Sequence, residues 1–210
     1  MIVVIDYGMG NLQSVVNAFE YLNQEVIISN DPKIIEKSKG IILPGVGAFA
    51  DGIKNLKEKN IYDLLTKQVV ENKKPFLGIC LGMQLIAKTS FEHGEHSGLG
   101  WIDAQVKKLV PTNSKFKIPH IGWNDTQIDL NNFLFENFQA NPVFYYVHSY
   151  ALVSNDPKAK IIATANHGIQ FISAIQKENI FGVQFHPEKS QGSGLQILKN
   201  FIKLVEKHDS

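Results

Sequence analysis

This chain has a single cysteine and no arginine, so all 21 of its basic residues are lysines. One cysteine excludes a disulfide within the chain and favours a reducing compartment. Without arginine, no bidentate guanidinium clamp can hold a phosphate group. An excess of charge of one sign is also lacking, because 20 acidic residues leave a formal net charge of +1. The composition therefore predicts neither a nucleic-acid partner nor attraction to an anionic membrane.

Long hydrophobic runs are missing as well. No stretch approaches the roughly 18 apolar residues that a membrane span requires. Residues 1–6 lack the basic segment of a signal peptide and have the pattern of a strand. These features predict a cytoplasmic protein. The length of 210 residues and the hydrophobic content of 44% predict one domain that spans residues 1–210.

The two halves of the chain have different patterns. In the first half, apolar strand-like segments alternate with amphipathic helices, which predicts a parallel sheet covered on both faces. Strands are predicted at 2–5, 25–29 and 40–43, and helices at 11–23, after Asp31-Pro32, and from about 51 to 72 with a break near Asn60. Asp31 can cap the helix that follows it, and Pro32 suits the first turn of that helix. In the second half, short strands are predicted at 101–110, 143–147, 161–165, 170–176 and 180–185, before a helix at 194–207. The predicted fold class is α/β, with a mixed, mostly parallel central sheet, helices on both faces and antiparallel additions in the second half.

The single cysteine lies in the segment 75–84, where an apolar strand ends in a Gly-x-Cys-x-Gly turn and a helix follows. Such a turn raises Cys80 above the sheet edge, while Gly78 and Gly82 let the backbone pack closely. The helix that begins near Leu81 directs free N–H groups and its positive dipole end at the sulfur, which favours a thiolate. Cys80 is therefore a candidate nucleophile. The alternative is a buried structural cysteine.

A candidate base follows another predicted strand, in the segment 180–190. The alternating apolar residues end at Phe185, and Pro187 prevents further strand pairing through its missing N–H. His186 and Glu188 would both lie just beyond the strand end. A histidine held by a carboxylate is the arrangement that activates a thiol nucleophile.

Two loops carry further candidate functional groups. The segment 44–49 has the sequence Pro-Gly-Val-Gly-Ala-Phe after a buried strand, and its backbone N–H groups suit either an oxyanion hole or an ordinary turn. The segment 146–150 places His148 after an apolar run, for contact with an amide or amino-acid substrate or for a structural role. His93 and His96 lie in a glycine-containing loop without a zinc-ligand spacing, so no metal site is predicted.

The motifs at 44–47, 78–84, 148–150 and 185–190 resemble, in order and spacing, those of the class I glutamine amidotransferases. The resemblance covers nearly the whole chain. The segments 6–11 and 119–124 are similar to signatures of the glutaminase subunits of imidazole glycerol phosphate synthases. The resemblance implies that Cys80 attacks the side-chain amide of L-glutamine, that His186 carries the proton to departing ammonia, and that Glu188 orients His186. It implies no cofactor.

The resemblance also assigns roles to the surrounding residues. Val46 and Leu81 would supply oxyanion N–H groups. The residues that would hold glutamine are Gly45, Gly47, Gln84, His148, Ser149 and Tyr150.

A partner is implied in the same way. In the family, ammonia crosses into a cyclase subunit with a (β/α)8-barrel fold, which forms a heterodimer with the glutaminase and binds the phosphorylated substrate. The residues assigned to that face by resemblance are Met9, Asn11, His120, Trp123, Asn124 and Lys189. Trp123 is predicted to lie in a loop, where a large aromatic residue favours a contact surface over core packing.

The segments 98–103 and 166–168 depart from the pattern expected of a histidine-pathway subunit. These departures leave open a paralogous glutaminase that supplies ammonia for modification of a surface-glycan sugar. A stand-alone cysteine hydrolase of γ-glutamyl bonds and a non-catalytic binding subunit are further alternatives.

Overall fold

A computed structural model describes residues 1–139 and 141–208. Residues 140, 209 and 210 of the predicted domain lie outside the described part. Among the helices of the described part, none is both long and apolar enough to cross a membrane.

The strands of the described chain are β1 (Ile2–Ile5), β2 (Val26–Ser29), β3 (Gly40–Gly45), β4 (Phe76–Cys80), β5 (Ala87–Ser90), β6 (His96–Ser97), β7 (Ile102–Lys108), β8 (His120–Ile128), β9 (Val143–His148), β10 (Tyr150–Ser154), β11 (Lys160–Asn166), β12 (Gln170–Lys177) and β13 (Ile180–Val183). Nine of these strands form a central sheet in the order β2-β1-β3-β4-β13-β12-β11-β8-β9, and the other four form a second sheet in the order β10-β7-β5-β6.

Helices cover the central sheet. They are α1 (Leu12–Tyr21), α2 (Pro32–Lys37), α3 (Phe49–Glu58), α4 (Tyr62–Thr66) with a π-helical continuation (Lys67–Glu71), α5 (Leu81–Leu85) and α6 (Gln191–His208), with 3-10 turns at Phe133–Phe135 and Pro187–Lys189. Alternate residues of β1 enter two separate cores: Ile2 and Val4 pack in one with residues of α1 and α6, and Val3 and Ile5 pack in the other with residues of α3, α4 and α5. The period of two along a strand buried on both faces produces this division.

The predicted mixed α/β sheet is confirmed. The strands β2, β1, β3, β4 and β13 are parallel to one another, and each further pairing from β13 to β9 is antiparallel. The local signals were accurate: the Asp31 side chain caps α2 by accepting from the Lys33 N–H at 2.8 Å. The helical segment also breaks at Asn60, whose φ is +57°.

The prediction of a loop at 119–124 is wrong. Residues from His120 onwards form β8, which pairs with β9 and places Trp123 opposite Tyr145. Exposed and partly exposed side chains dominate this strand, so its composition lacks the apolar alternation on which strand prediction depends. The second sheet and the strands β5, β6 and β10 were likewise not predicted.

The topology brings three loops to one edge. β4 lies between β3 and β13 and runs parallel to both, and Gly45 at the end of β3 is in register with Cys80 at the end of β4. Chain segments that leave the carboxyl ends of adjacent parallel strands emerge side by side. The loop at 46–48, the Cys80 turn and the His186 segment therefore meet at this edge.

Candidate active site

Cys80 ends β4 with a φ of +53° and a ψ of −106°, an unusual conformation for a residue other than glycine. The surrounding glycines allow the turn. A Cβ atom on Gly78 would lie 2.7 Å from the Gly82 carbonyl group, and one on Gly82 would overlap the Leu43 carbonyl group. The close approach of the turn to β3 thus requires glycine at both positions, and it places the sulfur at the base of a cavity.

The structure brings His186 and Glu188 together next to Cys80. The Nδ1 atom of His186 lies 2.7 Å from Glu188 Oε1, and the two side chains are only 3% and 5% exposed. The backbone N–H of His186 donates to the Tyr145 carbonyl group at 2.9 Å, which anchors the segment to β9. Nε2 of His186 and Oε2 of Glu188 are buried without a hydrogen bond of good geometry.

The surroundings of His186 favour its charged form. Burial alone would lower the pKa of His186, but the adjacent Cys80 sulfur and the Glu188 carboxylate together raise it well above the ordinary value. Cys80 makes the larger of these two contributions. A protonated imidazole beside the sulfur stabilises a thiolate, which is the nucleophilic form of cysteine.

A cavity of about 330 Å³ opens over Cys80. Most residues that the sequence analysis assigned to the oxyanion hole and to glutamine line it, whereas Gly45 is buried beneath the cavity at the end of β3. The lining residues are Val46, Gly47, Cys80, Leu81, Gln84, Glu92, His93, Pro119, Val147, His148, Ser149 and Tyr150.

Glu92 and His93 were not predicted as site residues. Glu92 Oε2 accepts a hydrogen bond from the Phe49 N–H at 2.7 Å, at the start of α3. This bond joins the loop at 91–95 to the segment that follows β3, across 43 residues of sequence. A carboxylate in a polar loop carries no sequence signal for such a contact.

His120 and His148 form a second buried histidine group, of which His148 lines the cavity. His120 Nδ1 lies 3.0 Å from His148 Nε2, and His148 Nδ1 lies 2.9 Å from the Tyr150 carbonyl oxygen. Burial lowers the pKa of His148 to about 4. Burial, with smaller contributions from His148 and His167, lowers the pKa of His120 to about 3. Both rings are therefore neutral at physiological pH.

Gln184 is a further buried polar residue that the sequence analysis did not single out. Its Nε2 lies 3.6 Å from the Cys80 sulfur, and its Oε1 lies 3.0 Å from Gln84 Nε2. The sequence feature that could have identified Gln184 is an amide between two apolar residues, Val183 and Phe185, at the end of a buried strand.

Some of the residues assigned to a partner form a contiguous surface. Trp123 is 48% exposed, and its ring centroid lies 5.8 Å from that of Tyr145. Lys189 Nζ lies 5.9 Å from the Tyr145 ring centroid. We call Trp123, Tyr145 and Lys189 the aromatic patch. Asn124, which follows Trp123 in the sequence, is half-buried, and His120 is only 3% exposed.

The two remaining residues assigned to the partner face follow β1. Asn11 is exposed, and its side chain caps α1 by accepting from the Ser14 N–H at 3.2 Å. Met9 is half-buried and adjoins the loop after β3, because a Cβ atom on Gly47 would lie 2.9 Å from its Cε.

Comparisons with known proteins show the family of this chain. The family model of the class-I glutamine amidotransferases matches residues 3–205. A chain from Methanococcus maripaludis named imidazole glycerol phosphate synthase subunit HisH 2 is 48% identical over 203 residues, which are 97% of this chain and 99% of that one. A subunit HisH from Aquifex aeolicus is 45% identical over 206 residues, covering 98% and 97% of the two chains.

Solved structures show the same fold. A crystal structure of a glutamine amidotransferase superposes with a TM-score of 0.77 at 18% identity, over 98% of this chain and all of that chain. A glutamine amidotransferase from Thermotoga maritima gives 0.63 at 19% identity, over 99% and 84%. The chain belongs to the class-I glutamine amidotransferase family, in its branch of HisH subunits.

Proposed function

We propose that this chain is the glutaminase subunit of an imidazole glycerol phosphate synthase, which hydrolyses L-glutamine to glutamate and ammonia through a thioester on Cys80. The single observation that carries the proposal is the contact of His186 with Glu188 at 2.7 Å beside a cysteine in a strained turn. The near-full-length similarity to HisH subunits supports the pathway. It does not favour the glycan paralogue, the stand-alone hydrolase or the non-catalytic subunit.

The proposed reaction has two steps. The Cys80 thiolate adds to the side-chain carbonyl carbon of glutamine, and His186 then donates a proton to the departing nitrogen, so that ammonia leaves and a γ-glutamyl thioester remains. A water molecule that loses a proton to His186 next attacks the thioester, which releases glutamate and regenerates the thiolate. Glu188 holds Nδ1 of His186 and leaves Nε2 for both proton transfers.

Backbone N–H groups of Val46 and Leu81 would stabilise the oxyanion in both steps. Leu81 is the first residue of α5, so its N–H has no carbonyl partner within the helix. Val46 and Gly47 border the same cavity. Preorganised backbone donors need no side-chain rearrangement as charge develops, and one such donor contributes about 3–4 kcal/mol.

The contact proposed between Gln84 and the substrate glutamine depends on which hydrogen-bonding groups of Gln84 already have partners. Both N–H groups of the Gln84 amide are committed, to the Tyr150 carbonyl group and to Gln184, each at 3.0 Å. Gln84 therefore offers only its oxygen to a ligand in the cavity, as an acceptor. His148, Ser149 and Tyr150 form the opposite wall, with Gly45 supporting the loop that carries Gly47.

Ammonia would pass to a partner subunit. We propose a cyclase with a (β/α)8-barrel fold in a cytoplasmic heterodimer, which makes imidazole glycerol phosphate and the aminoimidazole carboxamide ribotide by-product. The aromatic patch, together with Met9, Asn11, Asn124 and the buried His120, is the proposed docking face. Aromatic residues with a peripheral cation are enriched in such interfaces.

The test measures glutamate release from glutamine by the purified chain, alone and with the cyclase of the same organism, each with and without the nucleotide substrate. The proposal predicts strong stimulation by the partner, which disappears in Cys80→Ala. Activity indifferent to the partner would support the stand-alone hydrolase instead. Partner binding should weaken in Trp123→Ala and should remain unchanged in the exposed control Tyr21→Ala, because Tyr21 lies on α1 outside the aromatic patch.

A further inference from the structure

A hydrogen-bond donor other than the triad reaches the Cys80 sulfur. Gln184 is fully buried, and its Nε2 lies 3.6 Å from Cys80 Sγ. Its Oε1 accepts from Gln84 Nε2 at 3.0 Å. The reaction as proposed above makes no use of Gln184, so the buried amide needs a separate explanation.

The orientation of this amide follows from one carbonyl group. The Tyr150 carbonyl oxygen can only accept, and it accepts from Gln84 Nε2 at 3.0 Å. The Gln84 amide must therefore direct its NH2 group towards Tyr150, and that same NH2 group meets Gln184. Gln184 consequently presents its oxygen to Gln84 and its NH2 group to the sulfur. The reverse orientation would place two NH2 groups against each other.

The same carbonyl group fixes the buried histidines. His148 Nδ1 must donate to the Tyr150 oxygen, so in the neutral ring Nε2 accepts from His120 Nδ1. Nε2 of His120 in turn accepts from Asn124 Nδ2 at 3.3 Å. The other N–H of that Asn124 amide donates to the Asn166 carbonyl group at 2.9 Å. A single arrangement satisfies every member of this network.

We propose that Gln184 is a positioning residue that donates a hydrogen bond to the Cys80 sulfur, with its amide orientation dictated through Gln84 by the Tyr150 carbonyl group. The inference rests on the proposed function in that Cys80 is the nucleophile. It adds an N–H donor to the contacts of the sulfur with His186 and with the Val147 carbonyl oxygen, which lies 3.9 Å from Sγ.

An N–H donor stabilises a thiolate more than a thiol, so loss of the Gln184 amide shifts the ionisation of the sulfur to higher pH. The other groups that act on the sulfur are His186, Glu188 through His186, the buried hydroxyl of Tyr7, and the Val147 carbonyl oxygen, which accepts from the thiol at 3.9 Å. His148 acts on His186 from β9. All of these groups remain in place in a Gln184 variant, so a change in the sulfur's ionisation reports on the amide.

The experiment follows the rate of alkylation by iodoacetamide as a function of pH, in the absence of glutamine. Because the chain contains one cysteine, alkylation reports on Cys80 alone. Two variants are compared with the unmodified protein. Gln184→Met keeps the side-chain length without a donor, and Gln184→Asn keeps the amide but is one methylene too short to reach the sulfur. The control is Asn200→Leu, which removes another fully buried amide that donates to the Leu134 and Glu136 carbonyl groups.

The proposal predicts that both Gln184 variants raise the pH midpoint of alkylation by about one unit, so that alkylation at a pH below the midpoint slows about tenfold. The Asn200 control loses stability in urea without a shift of this midpoint. Unchanged midpoints in the folded Gln184 variants overturn the proposal, and if only one variant folds, its midpoint decides. Since alkylation requires no glutamine, failure of the proposed glutaminase activity would be seen separately, as absent glutamate release with a normal alkylation profile.

Discussion

Two groups of buried histidines, His186 in one and His120 with His148 in the other, have pKa values shifted in opposite directions. His186 is paired with a carboxylate and lies beside a sulfur, so its pKa is raised despite burial. His120 and His148 are paired with each other and with neutral groups, so burial lowers the pKa of both. All three side chains are almost inaccessible to solvent. The charge of the neighbouring groups, and not the depth of burial, therefore decides which histidine is protonated.

The opposite pKa shifts suit the two histidine groups to different roles. A histidine that exchanges protons needs a partner that stabilises its cation, as Glu188 does for His186. A histidine that transmits hydrogen-bond direction must keep one donor and one acceptor nitrogen, which only the neutral ring provides. His120 and His148 have that property, and their tautomers are fixed by the Tyr150 carbonyl group.

Removal of the Glu188 carboxylate should have the largest effect on the difference between His186 and the other two histidines. We expect Glu188→Gln to lower kcat for glutamate release by about 10²- to 10⁴-fold, because His186 loses both its orientation and the stabilisation of its cation. Glu178→Gln is the matched control, since Glu178 is exposed and pairs with Lys73 at 2.6 Å away from the site. Near-normal kcat in Glu188→Gln would refute the role of the carboxylate.

Removal of the sulfur should make His186 more like the other two histidines. We expect Cys80→Ala to lower the pKa of His186 by about one to three units, because an opposite charge at close range is lost. Proton NMR of the histidine ring hydrogens over a pH series measures this shift. The exposed His208, in the last turn of α6, provides an internal control. A His186 pKa that does not fall would show that the sulfur carries no charge beside it.

The neutral pair should make the protein sensitive to acid. A histidine whose pKa is depressed in the folded state binds its proton more readily when unfolded, so stability falls as pH drops from about 6.5 towards the folded values near 4 and 3. Each such histidine contributes a slope of about 1.4 kcal/mol per pH unit in that window. The opposite sign holds for His186, whose contribution is present below pH 6.5 and is lost only as pH rises through its raised pKa.

Urea unfolding between pH 7 and pH 4.5 tests this sensitivity. The variant His120→Asn should remove one titrating group and flatten the dependence of the free energy of unfolding on pH by about 1.4 kcal/mol per unit. His208→Asn, in the last turn of α6, is the control and should leave the slope unchanged. Equal slopes in the native protein and in His120→Asn would contradict a neutral buried His120.

The third ring stacked on the pair should have the smallest effect. His167 lies 4.0 Å from His120 between ring centroids and contributes to the lowered pKa of His120. We expect His167→Gln to raise the pKa of His120 by about half a unit, measured by the same NMR titration. A further decrease would show that His167 supports, and does not oppose, the protonated form of His120.

The sequence predicted those features that depend on short-range chemistry. The Gly-Cys-Gly turn, the cap at Asp31 and the break at Asn60 follow from conformational preferences of a few residues, and the structure has all three. The sequence placed His186 and Glu188 just beyond a strand end, but it did not show that they meet Cys80. They meet because β4 and β13 are adjacent and parallel.

The features that sequence did not reveal depend on distant pairs. The sequence around Gln184 does not show that its amide contacts Gln84, which lies 100 residues earlier. In the same way, the sequence around Glu92 does not show that its carboxylate accepts a hydrogen bond at the start of α3. The strand β8 was missed because His120 is buried by its neighbours in space while Trp123 remains exposed on the same strand. Neither hydropathy nor strand propensity records those neighbours.

The role of Cys80 as the nucleophile is tested most directly by covalent labelling of the partner-bound protein with a diazoketone analogue of glutamine, with the modified residue located by peptide mass spectrometry. We predict one label per chain on Cys80, loss of glutamate release in proportion to labelling, and protection by glutamine. Complete labelling of Cys80 with full retention of glutamate release, or loss of activity with Cys80 unlabelled, would contradict this role.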